Sequence, residues 1–244
     1  MKKIIVLFSC LLLPSLLVRI ILRMLGFTIG KKVKIGFVIL ISDNIRLDDF
    51  TKIDHFNFIQ VDKLLLAEKA YINSFNFIRG PFKLILKMRA AIGKNNVIRR
   101  SPKGVTYGNS ELILGELTKI TSFHFIDLTR TIRFGDFSVL AGIRSQLWTH
   151  GYVHAPEGPG RFRVDGEITI GNNVYLGSGI LINPGITIAD KINVGGNSTI
   201  AKSLTEPGMY VSQPLRHLSK SFEDIKQKLR QIEDNGLVEI VYEK

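Results

Sequence analysis

Cysteine is almost absent from this chain. Cys10 is the only one in 244 residues, so no intrachain disulfide can form and a cysteine-rich metal site is excluded. That scarcity agrees with a reducing compartment. Tryptophan occurs once, as Trp148. Acidic residues are outnumbered, 21 against 33 Lys and Arg, and the resulting formal charge of +12 favours an anionic partner: nucleic acid, an acidic membrane surface or a phosphorylated cofactor. No zinc-finger spacing is present and the aromatic residues follow a packing pattern, so a nucleic-acid role is not expected. A long hydrophobic run is missing too. The stretch from Ile4 to Val18 is only about fifteen residues and contains Pro14, whereas a spanning helix needs ~20 apolar residues. No small-x-small cleavage site follows it, which argues against a signal peptide.

Arg19 and Arg23 stand four apart among Leu16, Leu17, Ile20, Ile21, Met24 and Leu25. Residues 2–25 therefore read as one or two amphipathic helices lying on a membrane surface, with their cations toward headgroups. The alternative is a helix packed against the protein's own oligomer. Segment 1–28 forms the first region.

Hydrophobic residues, at 45%, are numerous enough for a folded core, and their order is the informative part. Aliphatic residues recur every six positions: Ile29, Ile35, Ile41, Leu47, Ile53, Ile59; then Leu66, Ile72, Ile78; Leu86, Ile92, Ile98; Leu114, Ile120, Ile126; Phe134, Leu140. The cleanest run is Ile170, Leu176, Ile182, Ile188, Val194, Ile200. A period of six fits neither a helix nor an alternating strand. It fits a three-sided coil of short strands and corners, about eighteen residues per turn, with successive turns stacked ~4.8 Å apart. Glycine follows the aliphatic residue at Gly171, Gly177 and Gly195, where a corner is expected to need a permissive backbone. A longer repeat runs through Ile53-Asp-His-Phe-Asn-Phe-Ile59, Ile72-Asn-Ser-Phe-Asn-Phe-Ile78, Ile92-Gly-Lys-Asn-Asn-Val-Ile98 and Ile120-Thr-Ser-Phe-His-Phe-Ile126. Stacking places Asn57, Asn76, Asn96 and His124 in one ladder with phenylalanines alongside, and assigns His55 and His124 to the stack.

Between Leu147 and Ile168 the hexads stop. The loop 148–167 is rich in Gly and Pro and carries Trp148, His150 and His154. A long irregular loop on a rigid scaffold is a favoured place for chemistry.

Ile170-Gly-Asn-Asn-Val-Tyr-Leu-Gly-Ser-Gly-Ile-Leu-Ile-Asn-Pro-Gly-Ile-Thr-Ile188, followed by Val194-Gly-Gly-Asn-Ser-Thr-Ile-Ala-Lys202, resembles the hexapeptide-repeat acyltransferases, in particular the galactoside and maltose acetyltransferases and the polysaccharide O-acetyltransferases. The resemblance is close over about 45 residues and looser over most of 29–215. It implies a mainly β fold, a left-handed parallel β-helix, assembled as a homotrimer that binds acetyl-CoA in clefts between subunits. It also implies that His150 is the catalytic base, with His154 the second candidate. A carboxylate is expected to orient the ring; Glu157, Asp165 and a residue from a neighbouring subunit remain open. For coenzyme A the resemblance points to Ser178, Gly196, Lys202 and Arg216, with Gly177 also allowing close approach. Trp148 is the candidate wall for a sugar acceptor, or else packs on the coil.

The expected activity is O-acetylation of a sugar of a cell-surface polysaccharide or its precursor, at the cytoplasmic face of the membrane, without a metal. Three alternatives stand beside it: N-acetylation of an amino sugar, a zinc trimer of the carbonic-anhydrase kind, and a non-catalytic β-helix. After the β-helix region, 216–244 is expected to hold a capping helix from Ser219 to Ile232, ended by Asn235-Gly236, and a short strand from Val238 to Tyr242.

Overall fold

The computed structural model describes residues 2–212 together with 216–218, 227, 230–232 and 241–243; of the three short strands beyond 212 only the backbone is described. The six-residue period produces the coil it requires. Most inward aliphatic residues end or centre a strand of two to four residues, with longer strands at Ile39–Leu47 and Phe58–Leu66, and strands of successive turns pair in parallel, making a β-solenoid. One face is a ladder that climbs from Lys34–Ile35 through Tyr71–Ile72, Lys119–Ile120 and Tyr175–Leu176 to Gly208–Val211. The other two faces are joined by the nine-residue strand Phe58–Leu66, which passes round a corner and belongs to both. Beyond it they separate. The first continues as Phe77–Arg79, Val97–Arg99, Phe125–Asp127 and Gln146–Leu147. The second continues as Lys83–Leu86, Glu111–Leu114, Ile132–Phe134 and Ile168–Ile170.

The hexad residues fill the shaft: Ile53, Ile59, Leu66, Ile72, Ile78, Ile98, Ile126, Leu176 and Ile200 are all buried. Ile41 departs from the expectation. It is half-buried, and Leu40 takes the inward place by stacking on Ile59, because the strand Ile39–Leu47 is longer than one side and slips the count by one. The corners also differ from the sequence reading. Positive φ falls three residues after the aliphatic position, at Asn173 (55°), Gly179 (69°), Gly185 (76°), Lys191 (60°) and Asn197 (55°). Gly177 is required for another reason: a Cβ there would lie 2.7 Å from the backbone nitrogen of Gly196 on the next coil.

The polar ladder forms as the repeat predicts. Asn57 Oδ1 accepts from Asn76 N (2.9 Å), Asn76 Oδ1 from Asn96 N (2.9 Å), and Asn96 Oδ1 from His124 N (3.0 Å). His124 Nδ1 then accepts from Ser145 N (3.1 Å). All four side chains are buried, and burial pushes His124 down to about 4, so its ring is neutral and structural. His55 also belongs to the stack: its Nδ1 accepts from Phe37 N at 3.1 Å. Phe56 stacks on Phe75 at 5.3 Å and Phe58 on Phe77 at 5.0 Å between ring centroids.

Two helices precede the solenoid, α1 (Lys2–Leu12) and α2 (Ser15–Met24), divided at Pro14 as its missing N–H requires. They close the first coil. Val6, Cys10, Val18 and Leu22 are buried, Val38 N donates to Cys10 O (3.0 Å), and Arg23 donates to the carbonyls of Ile29 and Gly30. Their other sides leave Ile4, Phe8, Leu12, Leu16 and Met24 exposed. No helix among the described residues is long and apolar enough to cross a membrane. At the far end, most of the expected capping helix lies outside the described residues. Its last part is corrected: Arg230–Ile232 is a strand, paired antiparallel with Val241–Glu243, where backbone pairing replaces the helical spacing of the side chains.

Candidate active site

Two excursions leave the corner between the first and second faces. Residues 100–110 bulge out between Val97–Arg99 and Glu111–Leu114. Residues 148–167 do the same between Gln146–Leu147 and Ile168–Ile170. The second is not the irregular loop its glycines and prolines suggest. It is a β-hairpin, His150–His154 against Arg161–Asp165, with Pro156 to Gly160 confined to its tip. Phe162 and Val164 alternate with Arg161, Arg163 and Asp165 in the second strand, and the β-branched and aromatic Tyr152 and Val153 suit the first. Arg163 ties the two excursions together by donating to Val105 O at 2.6 Å.

His150 sits at the foot of this hairpin. Its Nδ1 lies 2.9 Å from Asp127 Oδ2 and 3.2 Å from Thr129 Oγ1. Asp127 is the orienting carboxylate, and neither Glu157 nor Asp165 fills that role. Asp165 instead holds Arg163 through both oxygens, at 2.7 and 2.9 Å, while Glu157 is exposed near the hairpin tip. Asp127 reaches His150 because Ile126 stacks on Leu147, so Trp148, Thr149 and His150 continue directly above it. The carboxylate is buried and accepts further hydrogen bonds from Thr149 Oγ1 (2.7 Å), Thr149 N (3.2 Å), Thr129 N (3.3 Å) and Thr129 Oγ1 (3.1 Å). With so many donors aimed at it, the group is held as an acceptor, and His150 Nδ1–H is its natural remaining partner. That leaves the lone pair on Nε2 for a ligand.

Aromatic rings frame the imidazole. Trp148 meets it edge-on at 5.8 Å and Tyr152 at 5.9 Å. Trp148 also packs on Phe125 at 4.8 Å and donates from Nε1 to Gln146 Oε1 at 3.0 Å, so it is both part of the coil and a wall beside His150. His154 is exposed, four residues along the same strand. At ~3.3 Å per residue that places it about 13 Å from His150, too far to share one small ligand. Among the described residues no group of three His, Cys, Asp or Glu side chains is placed to hold a metal ion.

The residues assigned to coenzyme A lie at higher coils. Ser178 and Gly196 are exposed at one corner on successive turns, where Asn197 N donates to Ser178 O at 2.7 Å. The Ser178 hydroxyl is already engaged with Ile143, accepting from its N–H (2.9 Å) and donating to its carbonyl (3.0 Å). Ser178 therefore builds the corner first and offers a ligand mainly backbone. Lys202 is exposed one coil side later. The backbone of Arg216 pairs with Val211 in an antiparallel strand, and its side chain lies outside the described part.

Sequence reasoning missed Asp127, Thr129, Thr149 and the 100–110 excursion. It also missed Arg100, which is buried and donates to the carbonyls of Pro81 (2.6 Å), Tyr107 (2.8 Å) and Gly108 (2.9 Å), fixing that excursion to the coil.

No protein-family model and no curated protein sequence matches the chain. Among solved structures it is similar to a maltose O-acetyltransferase from Clostridium difficile 630, at 25% identity over 56% of this chain and 66% of that one, with a TM-score of 0.43. It is similar to a hexapeptide-repeat acetyltransferase from Vibrio cholerae O1 biovar eltor, complexed with acetyl coenzyme A, at 23% identity over 45% of this chain and 60% of that one (TM-score 0.39). It is also similar to the polySia-specific acetyltransferase NeuO, at 15% identity over 79% of this chain and 74% of that one (TM-score 0.47). The chain thus spans less than two thirds of the first two proteins.

Proposed function

We propose that this chain is an acyltransferase that moves an acetyl group from acetyl-CoA to a hydroxyl of a cell-surface polysaccharide sugar or its precursor. The observation that carries the proposal is the pairing of His150 Nδ1 with a buried, multiply bonded Asp127 at 2.9 Å, which leaves Nε2 free on a partly exposed ring flanked edge-on by Trp148 and Tyr152. An alcohol is a poor nucleophile until its proton leaves. Nε2 accepts that proton while the alcohol oxygen bonds to the thioester carbonyl carbon, and backbone N–H groups stabilise the oxyanion. The carbon–sulfur bond then breaks, and His150 returns the proton to the departing thiolate. Asp127 holds the tautomer and balances the imidazolium charge throughout. His154 takes no part in these steps.

The corner formed by Ser178 and Gly196 suits an elongated donor lying along the coils, with Lys202 and Arg216 as partners for its phosphates. A homotrimer is the proposed assembly. Phe56, Phe75 and Phe123 stand exposed at one corner of the solenoid, an apolar edge that a neighbouring copy would cover. The exposed apolar side of α1 and α2, with the exposed Lys2 at its start, supports peripheral attachment to the inner face of an acidic membrane. A zinc trimer is disfavoured because His154 lies about 13 Å along the strand from His150, too far for the two to share one metal ion.

The test is release of free coenzyme A from acetyl-CoA in the presence of saccharide acceptors. His150→Ala is expected to lower turnover about 10²–10⁴-fold with acetyl-CoA binding kept. Undiminished turnover in that variant would remove His150 from the mechanism.

A further inference from the structure

A recess opens on the same face as the His150–Asp127 pair, one rung toward the N-terminus. The row of outward residues on that face runs Gln60, Arg79, Arg99, Asp127, each the in-register neighbour of the next. Arg99 is therefore one strand spacing, ~4.8 Å, from Asp127 along the sheet. The recess has a volume of about 540 Å³ and is lined by Arg79, Arg99, Arg100, Lys103 and Lys3, with Asp62 the one carboxylate. Lys3 comes from α1, where its Nζ lies 2.8 Å from Asp43 Oδ1.

Three features mark this recess as built for an anion. Arg79 and Arg99 face each other directly across parallel strands, an arrangement that costs stability unless something negative lies between them. Among the described residues neither makes an ion pair with a carboxylate. Arg100 is 5% exposed; its two terminal nitrogens reach backbone carbonyls, yet its Nε is buried with no hydrogen-bond partner. Its charge adds to the positive potential at the wall of the recess. Two guanidinium groups on neighbouring strands are also suited to bidentate contact with phosphate oxygens, more so than a scatter of lysines.

We propose that this recess binds the phosphate or diphosphate group of the acceptor, so that the sugar it carries lies beside His150. The inference rests on the acyltransferase reading for the identity of the ligand as acceptor, but not for the existence of the phosphate site. Two acceptor chemistries share that group: a polyprenyl-diphosphate-linked sugar held at the membrane beside α1, and a soluble sugar nucleotide.

The experiment is calorimetric titration of the full chain with inorganic pyrophosphate, in wild type, Arg99→Gln, Arg79→Gln/Arg99→Gln and His150→Ala, with thermal melts to verify folding. Saturable binding is expected. It should weaken at least tenfold in Arg99→Gln, disappear in the double variant, and persist in His150→Ala. Equal binding in all four proteins, or none in the wild type, overturns the proposal. A parallel arm uses phosphatidylcholine vesicles with and without a polyprenyl diphosphate. Recruitment that depends on the diphosphate and on Arg99 supports the lipid-linked source; pyrophosphate binding that depends on Arg99 without such recruitment supports the soluble one. Failure of acetyl transfer would leave the pyrophosphate result standing, whereas failure of pyrophosphate binding would leave turnover on uncharged saccharides intact.

Discussion

Asp127 Oδ2 lies 2.9 Å from His150 Nδ1 although the two residues are 23 positions apart in the chain. Parallel stacking of Ile126 on Leu147 brings them together, and four donors from Thr129 and Thr149 hold the carboxylate still. Such an arrangement makes the carboxylate's charge, more than its shape, the contribution that catalysis would miss.

Asp127→Asn is accordingly expected to leave the fold and acetyl-CoA binding near wild type, since an amide oxygen can replace Oδ2 before its N–H donors while the amide NH2 faces the Thr129 hydroxyl, and to lower kcat by on the order of 10²-fold, because a neutral amide cannot balance the imidazolium charge that develops. Steady-state kinetics with the acceptor varied would check it. A fall confined to acceptor KM would make Asp127 a binding residue instead.

His124 supplies a pH prediction. Its folded value of about 4 lies below the ordinary imidazole value near 6.5, so the unfolded chain binds the extra proton between those limits. Stability is therefore expected to fall as pH drops from about 6.5 toward 4, by up to about 1.4 kcal/mol per pH unit from this group. His124→Asn continues the ladder of Asn57, Asn76 and Asn96 with an oxygen able to accept from Ser145 N. That variant should fold and show a flatter profile of Tm against pH; an unchanged acid slope would place the sensitivity elsewhere.

Asn96→Ala should be among the more damaging single changes in the shaft. It strips the acceptor from His124 N (3.0 Å) and removes donors from Asn76 Oδ1 (3.0 Å) and Thr121 O (2.9 Å). Asn76 Oδ1 keeps the backbone N–H of residue 96, but leaving His124 N and Thr121 O unpaired is expected to cost about 1–3 kcal/mol, read as a lower urea midpoint at unchanged m.

The helical cap gives a prediction at the membrane. Phe8 is 54% and Leu12 65% exposed, so Phe8→Glu with Leu12→Glu should not disturb folding. Each side chain would contribute about 1.5–3 kcal/mol if buried in lipid, so flotation with vesicles rich in phosphatidylserine should weaken at least tenfold. Unaltered flotation would detach these helices from the membrane role.

How much of this was legible beforehand differs by residue. The Asn57–His124 ladder could be read directly, because its members recur at 19, 20 and 28 residues within one repeated phrase and stacking follows from the period. Asp127 could not. In the corresponding places of lower coils stand Gln60, Arg79 and Arg99, so nothing in the repeat singles out a carboxylate there. The hairpin was equally hidden, since only Arg161–Asp165 alternates, while Gly151 sits within the first strand and Pro156 to Gly160 make the segment look irregular.

The sequence by itself determined the coil: an aliphatic residue every six positions can be buried on every side only by a three-sided turn, and the inward row then sets the register of each strand on the last. Tertiary structure alone decided the site. Coils of unequal length and two excursions from one corner change the distance along the chain between neighbours in space. Only the finished stack sets Asp127 beneath His150, and the arginine row beside both.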